Sequence, residues 1–242
     1  MEPLSGVAFL SPKGGPGKTT LSHLLALGSA WAGLPAWLCH TDARRPLRVN
    51  DRPYALIDAR GEARLEEVSE MLARRRRPSG GYAIFDGGGN RGDADMAIAL
   101  AMDLVLVPIT PSAESIELGL DFLARLDQAG RAPERSLLVL NQISSNVHEA
   151  TMDERLFFGG ISTVRVLCRV QRVSAVRTLL VPDDAQPGGL FPTPPPRVNH
   201  LARALERAVS ARLTRAEHLD PRRTRTPADQ HADSHTDIIA LA

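Results

Sequence analysis

An α/β protein, with a mostly parallel twisted sheet and helices on both faces, is the fold class this sequence predicts. Three observations carry the prediction. Short apolar runs alternate with longer segments of helical periodicity, the order expected of βαβ units. Several runs are hydrophobic at nearly every position, as strands covered on both faces require. The first run passes through a glycine-rich loop directly into a leucine-rich helix.

Val7–Leu10 opens the series as a buried strand, and Thr19–Ala32 is the first helix, with Leu21, Leu24, Leu25 and Leu27 recurring at helical spacing. Ala36–His40 and Tyr54–Asp58 are the next strands. A helix over Glu62–Arg76 carries Leu65, Val68, Met71 and Leu72. Tyr82–Phe85, Leu104–Val107, Leu137–Leu140 and Val164–Leu167 are the remaining strands, and Glu114–Gln128 and Val198–Leu213 the remaining helices. Right-handed crossovers place the helices on both faces, and such sheets bind ligands beyond the carboxyl ends of their strands.

A chain of 242 residues can bury one large core, here expected over residues 1–213. Pro192-Thr193-Pro194-Pro195-Pro196 is a stiff connector before the last helix. Residues 214–242 are rich in Arg, Asp, His, Thr and Pro and lack periodicity, so a disordered tail is expected, with Ile238–Leu241 as its frayed end. The net charge of +1 makes no global electrostatic case for nucleic acid, so any such case rests on local patches. Cys39 and Cys168 lie in apolar runs and read as core thiols. No leader pattern and no bilayer-length apolar run is seen, so a soluble, cytoplasmic protein is expected.

Only two lysines occur among 29 Lys and Arg, and both lie in Ser11-Pro12-Lys13-Gly14-Gly15-Pro16-Gly17-Lys18-Thr19-Thr20. The glycines allow a tight turn that presents backbone N–H groups to phosphate oxygens. A helix starting near Gly17 adds its positive end. Lys18 can reach β- and γ-phosphates, and the Thr19 hydroxyl can ligate Mg²⁺. Gly14, Gly15, Pro16, Gly17, Lys18, Thr19 and Thr20 are therefore the candidate nucleotide-binding residues.

Four later strands end in polar residues at the same side of the predicted sheet. Ala36–His40 leads to Asp42, a candidate for orienting water or the Mg²⁺ shell, or else a turn residue. Tyr82–Phe85 leads to Asp86 and three glycines, the arrangement that holds Mg²⁺ directly or through water. Asp58 is a rival acid at the end of Tyr54–Asp58. Leu137–Leu140 leads to Asn141, whose amide can pair with adenine or simply form a turn.

The spacing Lys-Gly-Gly-x-Gly-Lys-Thr-Thr resembles the shortened phosphate-binding loop of the ParA/MinD family of ATPases. The resemblance covers about residues 4–213 and is concentrated in the loop. It implies a P-loop fold, ATP and Mg²⁺ as cofactors, and slow hydrolysis stimulated by a partner such as a ParB-like protein. Lys13 would reach across an ATP-sandwich homodimer to the partner's phosphates. Lys13, Lys18 and Asp42 become the catalytic candidates, Thr19 and Asp86 the metal-binding ones, and Asn141 the base reader. The family's second strand ends in Asp-x-Asp-Pro-Gln; here His40 takes the first Asp position and Ala43-Arg44-Arg45 follows Asp42. That departure opens a second reading, a switch that scarcely hydrolyses.

The resemblance also implies non-specific DNA binding and a role in partition of a plasmid or chromosome, or in cargo positioning, with nucleoid association. Arg74, Arg75, Arg76 and Arg77 at a helix end, and Arg203 and Arg207 on the last helix, are candidate phosphate contacts. Arg165, Arg169, Arg172 and Arg177 offer another patch. In MinD a terminal amphipathic helix binds membrane. Here the Leu201, Leu205, Val209 and Leu213 stripe is alanine-rich and fits core packing, so membrane binding is not expected, and a membrane-positioning ATPase of the MinD type is the alternative reading.

Overall fold

The structure is a computed structural model, which describes residues 2–42, 52–74, 76–77, 80–88, 92–159, 165–180, 193–218 and 239–241. In chain order the elements are β1 (Glu2–Pro3), β2 (Ser5–Phe9), α1 (Lys18–Trp31), β3 (Ala36–His40), β4 (Ala55–Asp58), α2 (Glu62–Ala73), β5 (Arg76–Arg77), β6 (Tyr82–Asp86), α3 (Asp93–Ala101), β7 (Leu104–Ile109), α4 (Ala113–Gln128), β8 (Ser136–Ile143), α5 (Val147–Phe158), β9 (Val166–Gln171), α6 (Pro196–His218) and β10 (Ile239–Leu241). Eight strands form one sheet in the order β10-β9-β8-β7-β2-β6-β3-β4, and every neighbouring pair is parallel. The α/β class and the parallel sheet are as the sequence predicts.

Alternation along each strand divides the core into two layers. Val7 and Phe9 of β2 face α1 and α6, meeting Leu21, Leu24, Leu201 and Leu205. Ala8 and Leu10 face the other side, with Val68 of α2, Ile98 of α3, Phe122 and Leu126 of α4 and Phe157 of α5. Gly28 lets α1 approach α6 closely, since a Cβ there would lie 2.1 Å from the Ala202 carbonyl oxygen. The stripe Leu201, Leu205, Val209 and Leu213 is buried in this layer. No helix among the described residues is long and apolar enough to cross a membrane.

Several boundaries differ from expectation. α2 stops at Ala73, and Arg76–Arg77 instead pair antiparallel with β1, so these two arginines do not end a helix. α6 continues to His218, past Leu213. Ile239–Leu241 adds to the sheet edge beside β9, where a frayed end was expected. α3 and α5 have no counterpart among the sequence-predicted helices. Both cysteines are buried and free, and burial pushes their thiols up to about 12, which makes them poor nucleophiles.

Candidate functional site

β2 ends at the centre of the sheet, flanked by β6 and β7. The chain leaving it forms the 11–17 loop and enters α1 at Lys18. Gly15 and Gly17 both have positive φ, +87° and +99°, which a residue with a Cβ adopts only under strain. Gly17 has a second constraint: an added Cβ would lie 2.2 Å from Asn141 Nδ2. α1 has no side-chain cap and no acidic residue in its first turn, so its N-terminal amides face a cleft that no carboxylate of the helix neutralises.

That cleft, of about 270 Å³, is lined by Gly14 through Thr20, together with Asp42, Gly87 and Gln142. It therefore gathers all seven of the loop residues singled out from the sequence. Lys18 is buried and curls back along the loop, its Nζ donating to the Lys13 carbonyl at 3.0 Å and the Ser11 carbonyl at 3.4 Å. Lys13 points elsewhere, forming an ion pair with Glu114 at the start of α4.

The two acids take different positions. Asp42 lines the cleft. Asp86 is 1% exposed, on the strand beside the loop, in register with Phe9. Its neighbour Gly87 lines the cleft and donates its N–H to the Phe9 carbonyl at 3.1 Å. Thr41 ties the two strand ends together: its hydroxyl donates to the Asp86 carbonyl at 2.9 Å and accepts from Gly88 N at 3.1 Å. Asp58, the rival acid, sits on the edge strand β4. Its carboxylate is taken by Arg60, whose Nε and Nη2 donate at 2.8 and 2.6 Å. That pairing lowers the Asp58 carboxyl to about 2.

Neither carboxylate oxygen of Asp86 makes an aligned hydrogen bond among the described residues; His40 Nδ1, 3.1 Å from Oδ2, is an ion-pair contact only. A buried carboxylate left in this state suits a bound cation. No group of three or more His, Cys, Asp or Glu among the described residues could hold a metal alone. A cation here would draw on the Thr19 hydroxyl and on oxygens of the ligand itself, as Mg²⁺ does with phosphates.

A second cavity of about 350 Å³ adjoins the first and shares Gly17, Thr20 and Gln142 with it. Leu24, Val170, Val173 and Val176 form its apolar wall, and Asn141 and Arg172 supply polar groups. Asn141 donates Nδ2 to the Pro16 carbonyl at 2.7 Å, so part of its amide is engaged with the loop. Gln142 was not among the candidates. It is the one non-glycine residue with positive φ, +62°, among the described residues, at a bulge where β8 and β9 slip register. The bulge brings Gln142 Nε2 within 3.3 Å of the Gly15 carbonyl and sets the side chain against both cavities.

The candidate arginines do not form one surface. Arg74 caps α2 on one face of the sheet and pairs with Glu70, whereas Arg203 and Arg207 are exposed on α6 across the opposite face. Arg75 lies outside the described residues, as do Ala43, Arg44 and Arg45 and the side chains of Arg76, Arg77 and Arg177. Arg165 and Arg169 are paired with Asp127 and Glu154.

A parallel sheet whose central strand feeds a glycine-rich loop into a helix, with an acid ending the next strand, defines the class of P-loop nucleotide-binding folds. No protein-family model and no curated protein matches the chain. Among solved structures, the cell division ATPase MinD of Pyrococcus furiosus superposes with a TM-score of 0.61 at 15% identity, covering 86% of this chain and 98% of that one. A McdA variant of Cyanothece in complex with ATP gives 0.59 at 13% identity, covering 87% and 98%. The ParA of pNOB8 bound to nonspecific DNA gives 0.56 at 12% identity, covering 88% and 99%. The chain thus has the fold of the MinD and ParA ATPases.

Proposed function

We propose that the chain is an ATPase of the ParA/MinD type that binds ATP with Mg²⁺ in the paired cavities. One observation carries this reading: the 270 Å³ phosphate-sized cleft over the uncapped end of α1 opens beside a 350 Å³ cavity with an apolar wall. The triphosphate would lie on the Gly14–Thr20 amides with Lys18 against its outer phosphates. The base would enter between Leu24 and Val173, beside Asn141 and Arg172. Thr19 and Asp86 would hold Mg²⁺, which offsets phosphate charge, and Asp42 would orient the attacking water.

ATP would close a sandwich homodimer in which Lys13 leaves Glu114 for the partner's phosphates. The dimer would bind DNA without sequence preference through Arg203 and Arg207, and hydrolysis, slow until a ParB-like partner stimulates it, would open it. Partition or positioning of DNA or another cargo is the role this cycle supports. The test is sedimentation with ATP or ADP, with and without a mixed-sequence duplex. An ATP-dependent dimer that Lys13→Ala abolishes, with salt-sensitive duplex binding only in ATP, is expected. A monomer in every nucleotide state would refute the sandwich.

A further inference from the structure

Gln142 holds a backbone conformation that residues with a side chain rarely adopt. Asn141 pairs with Val170 and Ile143 with Gln171, so Gln142 is the extra residue of the bulge and has no partner on β9. Its φ of +62° strains any residue that carries a Cβ. Every other positive-φ position among the described residues is a glycine, which adopts such angles freely. Strain of this kind, kept by a long polar side chain at the edge of a cavity, is evidence that the side chain has a task there.

The bulge changes where that side chain goes. Along a regular strand, consecutive side chains point to opposite faces. Asn141 and Gln142 instead reach consecutive carbonyls of one loop. Asn141 Nδ2 donates to the Pro16 carbonyl at 2.7 Å, and Gln142 Nε2 donates to the Gly15 carbonyl at 3.3 Å. A carbonyl only accepts, so the second bond fixes the Gln142 amide with its nitrogen on the loop and its oxygen turned away from it. The two cavities meet at Gly17, Thr20 and Gln142. Gly17 has no side chain, and Thr20 has a short one held on α1. Gln142 brings the one long polar side chain to the junction.

In a nucleoside triphosphate the sugar joins the phosphates to the base. A nucleotide with its phosphates in the 270 Å³ cleft and its base in the 350 Å³ cavity must pass its sugar through that junction. We propose that Gln142 reads the sugar: Nε2 stays on Gly15 while Oε1 accepts a hydrogen bond from a ribose hydroxyl, so that the site selects ribonucleotides over deoxyribonucleotides. The inference rests on the function proposed above and adds to it the sugar class of the substrate. Asn141 cannot take this part, because it lines the second cavity alone and its nitrogen is engaged by Pro16. One amide thus bridges the phosphate loop and the sugar, and the strained bulge is what places it.

Calorimetric titration of wild type, Gln142→Gly and Gln142→Met with ATP, 2′-deoxy-ATP and 3′-deoxy-ATP is the test. Glycine accepts the positive φ, so Gln142→Gly removes the amide without straining the bulge. Methionine keeps the length and the apolar contact and lacks the amide. A neutral hydrogen bond is worth about two- to tenfold in affinity. Wild type is expected to bind ATP tighter than at least one deoxy analogue by about that factor, and the analogue that loses affinity identifies the hydroxyl. Both variants are expected to bind the three nucleotides equally, at the level of wild type with the weaker analogue. Equal affinity of wild type for all three, or discrimination that survives in either variant, would overturn the inference and leave ATP binding standing. A wild-type protein that binds none of the three would overturn the proposed function and the inference with it.

Discussion

Replacing Gly17 by alanine tests how the phosphate loop is held. Two costs are separable in the structure. At φ +99° an alanine backbone is strained by about 1–2 kcal/mol. Its Cβ would also sit 2.2 Å from Asn141 Nδ2, which must swing away and give up its 2.7 Å bond to the Pro16 carbonyl. Both groups are buried, so losing that bond costs about 1–3 kcal/mol. Gly17→Ala should therefore destabilise the fold by about 2–5 kcal/mol. In an Asn141→Ala background the clash is absent and only the backbone strain remains, about 1–2 kcal/mol. The double-mutant cycle, read from urea unfolding midpoints at constant m-value, should show a coupling of about 1–3 kcal/mol. Additive losses would mean that Asn141 does not brace the loop.

Lys18→Ala should abolish ATP binding by isothermal titration, and retained micromolar binding would remove the site assignment. Asp42→Ala should leave ATP binding intact and lower turnover by about a hundredfold or more, the scale of a lost water-orienting base; undiminished turnover would show that another group places the water. Glu206, buried beside the Tyr82 hydroxyl at 3.1 Å, has a carboxyl raised above its ordinary value of 4.5 by burial. Its neutral form suits the fold, so its contribution is favourable below that value and is lost as the pH rises through the raised one. Glu206→Gln should thus melt like wild type near about pH 4 and gain over it as the pH climbs, and a gain independent of pH would contradict the assignment.

The central strands were legible because each is an apolar run, and buried parallel strands need little else. Their ends were not. β7 extends through Pro108 to Ile109, and β8 passes Asn141 and Gln142 to Ile143, where an apolarity criterion stops short. α5 escaped notice because Val147, Met152 and Leu156 are exposed, so its apolar residues do not share one stripe. The phosphate loop was legible because its chemistry is contiguous in sequence. Glu114 lies 101 residues from the lysine it pairs with. Gln142 faces the loop only because a one-residue bulge turns it there, and a bulge leaves no periodic trace in the sequence.

The Lys13–Glu114 pair bears on how readily the proposed dimer would close. Glu114 is 70% exposed and Lys13 31%, so their attraction is screened by water and contributes at most about 1 kcal/mol. A charge-assisted bond from Lys13 to a phosphate is worth about 1.5–3 kcal/mol. The exchange of partners is therefore downhill, and Glu114 acts as a weak competitor for the lysine. Removing it should tighten the dimer modestly. Glu114→Gln is expected to tighten the ATP-dependent dimer by up to about thirtyfold, since each of the two subunits frees one lysine at up to about 1 kcal/mol. Sedimentation equilibrium across a dilution series in ATP reads that change directly. A weaker dimer would mean that Glu114 contributes to the interface itself. A dimer that no longer needs ATP would mean that the ion pair, and not the absence of phosphate, keeps the subunits apart.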